Sequence, residues 1–336
     1  MQKKLAENII LILLFLSVSF NITYWAIAKY DVNTDMSAVS DAEFYIKMSQ
    51  YDYQNVPYRY ANRFLMPSVV SLVSKCLNIE NLLSRHYEDV GRKMVQLNFG
   101  IVNILCLTGT ALFFFYFCRD LNFSKAESII GCFLFFTSFF VITYYTVPLI
   151  DSMGCFFVMA CLYMIRKENL FWLSICFLFG VFTKESTFVV LLMILLNDRT
   201  IFSKKLLVCT PAIFTYIIFS KLGNASSGQN IFSIISNISL LRTYISVGIS
   251  SINLYTLIEI TQTFMFMWIL LVYSLLKCNK PIFIKKQLWL LLLPFVVPFL
   301  VGTSTVGRIA FYLFPIVITL SLLALRDIFR FNEQNT

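Results

Sequence analysis

ENIILILLFLSVSFNITYWAIA, residues 7–28, opens on one carboxylate and carries no further charge. A helix crosses the hydrocarbon of a bilayer with roughly 20 apolar residues, and lipid offers no partner to an open backbone N–H or C=O. The stretch therefore reads as a membrane span. Lys3 and Lys4, the apolar run 9–20 and Ala26-Ile27-Ala28 also imitate a cleavable signal peptide over residues 1–28, but the apolar character continues through Trp25 to near spanning length. On either reading the chain emerges on the outer side at residue 29.

The same pattern recurs. With 58% hydrophobic residues in 336 and a mean hydropathy of +0.76, the chain belongs to the membrane class. Spans are expected near 7–28, 93–117, 127–147, 150–165, 169–183, 186–197, 205–221, 252–276, 287–302 and 309–325, an all-α polytopic bundle of about ten spans forming one domain, 1–336. Fifteen of the 27 basic residues, including Lys3/Lys4, Arg166/Lys167, Lys204/Lys205 and Lys285/Lys286, then fall in short segments on one side. This bias puts both termini in the cytoplasm. The net charge of +9 is scattered between apolar runs and forms no single basic face, which speaks against nucleic acid and for membrane lipids as partners. Nine cysteines show no CxxC or Cys/His spacing and are read as unpaired; neither a metal nor a cofactor is expected. His86, in a polar loop, reads as a surface residue.

Two outer segments stand out, 29–92 and 222–251. In the first, Ser40 or Asp41 is placed to cap a short helix reaching Ser49, and 62–77 reads as an amphipathic helix on the bilayer surface, with Phe64, Leu65, Val69, Leu72 and Val73 on its apolar side. The loop is thus expected to be structured. A short helix pair, 169–197, meets at TKEST, 183–187; Lys184 and Glu185 are too costly against lipid and point to a broken hairpin lining a cavity.

The chemistry gathers at the outer helix ends. DAEFYIKMSQYDYQNVPYRYANRFLMP, residues 41–67, supplies Asp41, Glu43, Arg59 and Arg63; Asp35 precedes it; Asp151, Lys184, Glu185 and Arg308 lie at other outer ends. An ion pathway would instead distribute ionisable groups along the midplane. A carboxylate at the mouth suits a general base, and guanidinium groups suit a departing phosphate. Two readings of Arg59 and Arg63 stay open: a phosphate clamp, or contacts to lipid headgroups with Asp41 as a helix cap. Thr256, Glu259, Gln262 and Thr263 form a polar stripe in the 252–276 span, read either as an interhelical hydrogen-bond network or as part of the site.

Asp41-Ala-Glu-Phe-Tyr45, the Tyr58-Arg59 to Pro67 segment, Asp151, TKES at 183–186 and GRIAFYLFP at 307–315 together resemble bacterial integral-membrane glycosyltransferases of the GT-C superfamily. The resemblance implies a cytoplasmic-membrane enzyme that moves a sugar from a polyprenyl-phosphate donor to a glycan or lipid-linked acceptor on the external face, with inversion. Asp41 then matches the catalytic base, Asp35 and Glu43 are its neighbouring alternatives, and Arg308 matches the donor-phosphate ligand; Arg59, Arg63, Asp151, Lys184, Glu185 and Glu259 complete the expected substrate-binding set. The chain departs from the oligosaccharyl- and protein-mannosyl-transferase branches in lacking a paired acidic motif at Asp41. An O-antigen-type polymerase and a lipid or glycan transporter without covalent chemistry are the alternatives.

Overall fold

The computed structural model describes residues 2–29, 40–77, 90–197, 201–223, 246, 254–294, 296 and 306–333. Among these the protein is all-helical, without strands. The first apolar run forms α1 (Gln2–Lys29). Residues 40–77 fold into α2 (Ser40–Ser49), the single turn α3 (Tyr58–Ala61) and α4 (Leu65–Leu77). Then follow α5 (Val90–Asp120), α6 (Lys125–Phe136), α7 (Phe139–Thr143), α8 (Asp151–Lys167) and α9 (Leu170–Thr183). A 3₁₀ turn, Glu185–Phe188, leads into α10 (Val189–Leu195) and α11 (Phe202–Gly223). The remainder is α12 (Leu254–Phe264), α13 (Met267–Lys277), α14 (Ile282–Gln287), α15 (Val306–Ala310) and α16 (Phe314–Glu333), the last two joined by the 3₁₀ turn Phe311–Leu313.

Among the described residues three helices are long and apolar enough to cross a membrane: Leu5–Ala28, Val95–Asp120 and Val306–Phe329. The bent pair α12–α13 makes up to four. They occupy different environments. The Val306–Phe329 helix is 89% buried by protein and is the central post, whereas Leu5–Ala28 is only 22% buried and shows Ile9, Ile10, Leu13, Phe20 and Trp25 outward. An apolar surface of that extent is what a helix presents to lipid. Of the other expected spans, 127–147 divides into α6 and α7 at Thr137-Ser138, 205–221 lies within the 22-residue α11 with Pro211 inside it, and 287–302 shows a 3₁₀ turn, Leu288–Leu292, its part beyond residue 296 lying outside the described residues.

Capping explains several of these boundaries. Ser124 and Glu127 form a capping box at the start of α6, and Asn169 accepts from the Trp172 N–H to start α9. Asn122 and Glu168 adopt left-handed φ of 64° and 56° where α5 and α8 end. Lys184 alone is extended between α9 and the 3₁₀ turn, and Gly180 permits the break: a Cβ there would lie 2.5 Å from the Thr187 methyl. Within 169–197, helices of 14 and 7 residues are thus separated by the break at Lys184 and the 3₁₀ turn.

Two apolar clusters hold the fold. The larger runs through α5, α6, α8, α9 and α16. The smaller ties the 40–77 segment to the start of α5 and to residues 147–153, with Tyr45, Met66, Phe99, Leu149 and Ile150 at its centre. In α4 the inward residues are Met66, Pro67, Val70 and Ser71; Leu72, expected on the apolar side, is exposed, and Phe64, Leu65, Val69 and Val73 are partly buried. Packing on α2 and α5 selects the face, one residue over from the pattern's own choice. All nine cysteines are free.

Candidate active site at one end of the bundle

Asp151 opens α8 fully buried, in the first turn, where the helix dipole favours a carboxylate. The turn before it is fixed from α5. Asn103 Nδ2 donates to the Val147 carbonyl at 2.9 Å, and the Ser152 hydroxyl donates to Asn103 Oδ1 at 2.5 Å. A buried carboxylate persists only with close cationic partners, and Asp151 has two. Lys184, from the hairpin break, places Nζ 2.5 Å from Oδ1. Arg308, from the first helical turn after residue 305, places Nη2 2.6 Å from Oδ2 and Nε 3.4 Å from Oδ1. Arg308 also stacks over the Tyr144 ring at 5.0 Å, and Lys184 lies 5.7 Å from the Tyr312 ring.

Asp41, in the first turn of α2, sits above this trio. The Tyr60 hydroxyl donates to its Oδ1 at 2.7 Å, and Arg308 Nη1 approaches Oδ2 at 3.6 Å. Its side chain keeps 24% of its surface exposed, against 0% for Asp151. Asp41 is therefore the accessible carboxylate and Asp151 the buried one.

A second ion pair lies alongside. Arg63 Nε donates to Glu185 Oε2 at 2.8 Å and Nη1 donates to the Tyr45 phenol oxygen at 2.8 Å, while its guanidinium lies 5.3 Å from the Tyr60 ring. Tyr45 and Tyr60 meet edge to face at 5.9 Å. Burial drives the Tyr45 phenol well above its ordinary range, although Arg63 beside it pulls the other way. Burial alone would depress the Arg63 guanidinium; the charge of Glu185 and the Tyr45 contact outweigh it and hold Arg63 more firmly protonated.

The structure brings Asp41, Arg63, Asp151, Lys184, Glu185 and Arg308 together. Glu259 is their neighbour: its carboxylate faces the Val306 and Gly307 N–H groups at the start of α15, and it interacts with Arg308 through space. Thr256 and Thr263 also face inward on α12, but Gln262 is exposed. Glu43 is not brought in; it pairs with Lys47 at 2.8 Å, one turn along α2, with 57% of its side chain exposed. The backbone of Arg59 belongs to α3, while its side chain, like Asp35, His86 and most of 222–251, lies outside the described residues. Tyr45, Tyr60, Tyr144 and Tyr312 are site residues to which sequence reasoning gave no role. The tyrosine richness of 41–67 was the available signal for the first two.

Among the described residues no three His, Cys, Asp or Glu side chains group as metal ligands. No family model matches the chain, and neither a curated protein nor a solved structure matches it.

Proposed function

We propose that the protein is a polytopic membrane glycosyltransferase that moves a sugar from a polyprenyl-phosphate donor to a glycan or lipid-linked acceptor at the outer membrane–water boundary. One observation carries this reading: an accessible carboxylate, Asp41, lies next to a guanidinium, Arg308, whose charge is anchored from behind by buried Asp151, itself also paired with Lys184. Asp41 takes the proton as the acceptor O–H bond breaks. The acceptor oxygen forms the new bond to the anomeric carbon, and the electron pair of the breaking C–O bond passes to the leaving phosphate. Arg308 stabilises the charge that gathers there, more in the transition state than in the bound donor. Arg63, fixed by Glu185 and Tyr45, is a second cation within the same end of the molecule.

The GT-C resemblance supports this assignment, and with it a chain of about ten passes in a bacterial cytoplasmic membrane, both termini inside. On this reading the further passes are α8 to α10, of 17, 14 and 7 residues and broken at Lys184, and the 22-residue α11.

The test is transfer of labelled sugar from a polyprenyl-phosphate donor by the purified protein in liposomes. Asp41→Asn keeps the Tyr60 hydrogen bond but accepts no proton, so transfer falls by about 10²- to 10⁴-fold with insertion and folding unchanged. Asp35→Asn costs less. Movement of intact labelled lipid across the bilayer, with no covalent transfer over a broad donor and acceptor panel, makes the protein a transporter instead.

A further inference from the structure

Arg308 meets its two carboxylates unequally. Toward Asp151 it offers Nη2 at 2.6 Å and Nε at 3.4 Å. Toward Asp41 it offers only Nη1, at 3.6 Å, beyond a good hydrogen bond. Asp151 is shared with Lys184, so two cations stand on one buried carboxylate and leave one positive charge in excess. Asp41 is the group that offsets it. Glu185 is engaged by Arg63, and Glu259 faces the backbone at the start of α15. Tyr144 lies against the guanidinium face. The Nη1 edge is thus where Arg308 is held most loosely, and its occupant there is the more exposed of the two aspartates.

We propose that a phosphate ester exchanges with Asp41 on the Nη1 edge of Arg308, so that anion binding itself releases Asp41 to act as the base. This rests on the glycosyltransferase reading and adds an order of events to it. Before the donor arrives, Oδ2 of Asp41 is engaged by Arg308 Nη1 at 3.6 Å and Oδ1 by the Tyr60 hydroxyl. A dianionic or monoanionic phosphate brings more charge and more acceptor oxygens to a fork that suits it. Once displaced, Asp41 keeps the Tyr60 hydrogen bond on Oδ1, which holds it at the site while Oδ2 turns to the acceptor hydroxyl. Donor therefore binds before acceptor activation. The competing carboxylate lowers apparent affinity for the anion by the fraction of time it occupies the edge.

The consequence runs against ordinary expectation for a catalytic substitution: removing Asp41 tightens phosphate binding. Geranyl monophosphate, a short prenyl phosphate, is titrated calorimetrically into full-length protein in nanodiscs. Asp41→Asn and Asp41→Ala each lower its dissociation constant by roughly 5- to 50-fold, the range of a typical coupling between two ligands, and Arg308→Gln removes the binding. Two variants guard against one that folds poorly, and monodisperse elution qualifies each. Equal or weaker binding in both Asp41 variants, with sugar transfer intact in the unaltered protein, overturns the exchange and leaves the transferase reading standing. Absence of binding in every protein that retains Arg308 also overturns it. Tighter binding by both variants without any sugar transfer by the unaltered protein supports the exchange and sinks the transferase reading.

Discussion

Arg308 owes its chemistry to the fork of its guanidinium. One edge is clamped on Asp151 and the other is turned toward Asp41. Arg308→Lys keeps the charge and loses the second edge, so turnover falls by about 10- to 1000-fold, the scale of losing one strong electrostatic donor, while donor KM changes much less. Steady-state kcat and KM separate the two. Tyr45 tests the neighbouring ion pair. Its phenol is raised by burial in the folded chain and titrates near its ordinary value of about 10 in the unfolded one. A raised folded value contributes stability that is fully present below about pH 10 and is lost as pH climbs past it. Tyr45→Phe therefore lowers the melting temperature modestly at pH 8, by removal of about one hydrogen bond, and flattens the decline between pH 9.5 and 11. Fluorescence melts across that range read both effects. Asp151, Lys184 and Arg308 were legible because an apolar sequence leaves few charges, and each needs a partner. Which partner was not legible, since Arg308 and Asp151 stand 157 residues apart and Arg63 and Glu185 stand 122 apart. Tyr60 was hidden among the tyrosines of its own stretch, any of which has a hydroxyl to give.

Helix α15 places Arg308, and Gly307 sets how closely α15 lies against its neighbours. A Cβ at residue 307 would sit 2.7 Å from the Phe140 ring, 2.9 Å from Glu259 Cγ and 2.9 Å from the Thr263 hydroxyl. The contacts come from α7 and α12, so an added methyl displaces α15 from two sides. Gly307→Ala accordingly destabilises the protein by about 1–3 kcal/mol, as overpacking does, and lowers transfer more than the loss of folded protein explains, because Arg308 moves with the helix. Specific activity per folded molecule, after size-exclusion quantification, distinguishes misplacement from misfolding. The elements themselves were largely readable from runs of apolar residues; their interruptions were not. The 252–276 run is one apolar stretch, yet it bends by 75° between α12 and α13, at Met265 with φ of 46°. Nothing in its hydropathy marks that bend, because Met265 is as apolar as its neighbours. The 127–147 run likewise breaks at Thr137-Ser138, where both hydroxyls turn back to carbonyls one turn earlier. The break at Lys184 was legible, since a lysine between two apolar helices had to leave the lipid.

At the scale of the molecule, the ion pairs among the described residues collect at two ends. One end holds Asp41, Arg63, Asp151, Lys184, Glu185 and Arg308. The opposite ends of the same long helices carry a separate set of ties: Lys125 to Glu7 at 2.7 Å, Lys167 to Asp120 at 2.6 Å, and Arg326 to Glu127 at 2.5 Å. Tyr273 adds a hydrogen bond to Asp327 at 2.9 Å. Of the basic partners in that second set, Lys125 opens α6, Lys167 closes α8 and Arg326 lies in the last two turns of α16, helix ends where Lys and Arg bias a bundle toward the cytoplasm. On the proposed orientation the first set faces outward. Reporter fusions after Arg119, Lys204 and Lys280 are expected to read as cytoplasmic, and fusions after Glu80 and Gly228 as external. The fusion after Lys204 is the most demanding of these, because it depends on the 169–197 hairpin entering from the inner side and returning to it with Lys184 at its outer tip. An external signal there, with the other four as expected, places an odd number of passes between Arg119 and Lys204. It thereby removes Lys184 from the outer boundary and with it the outward-facing site.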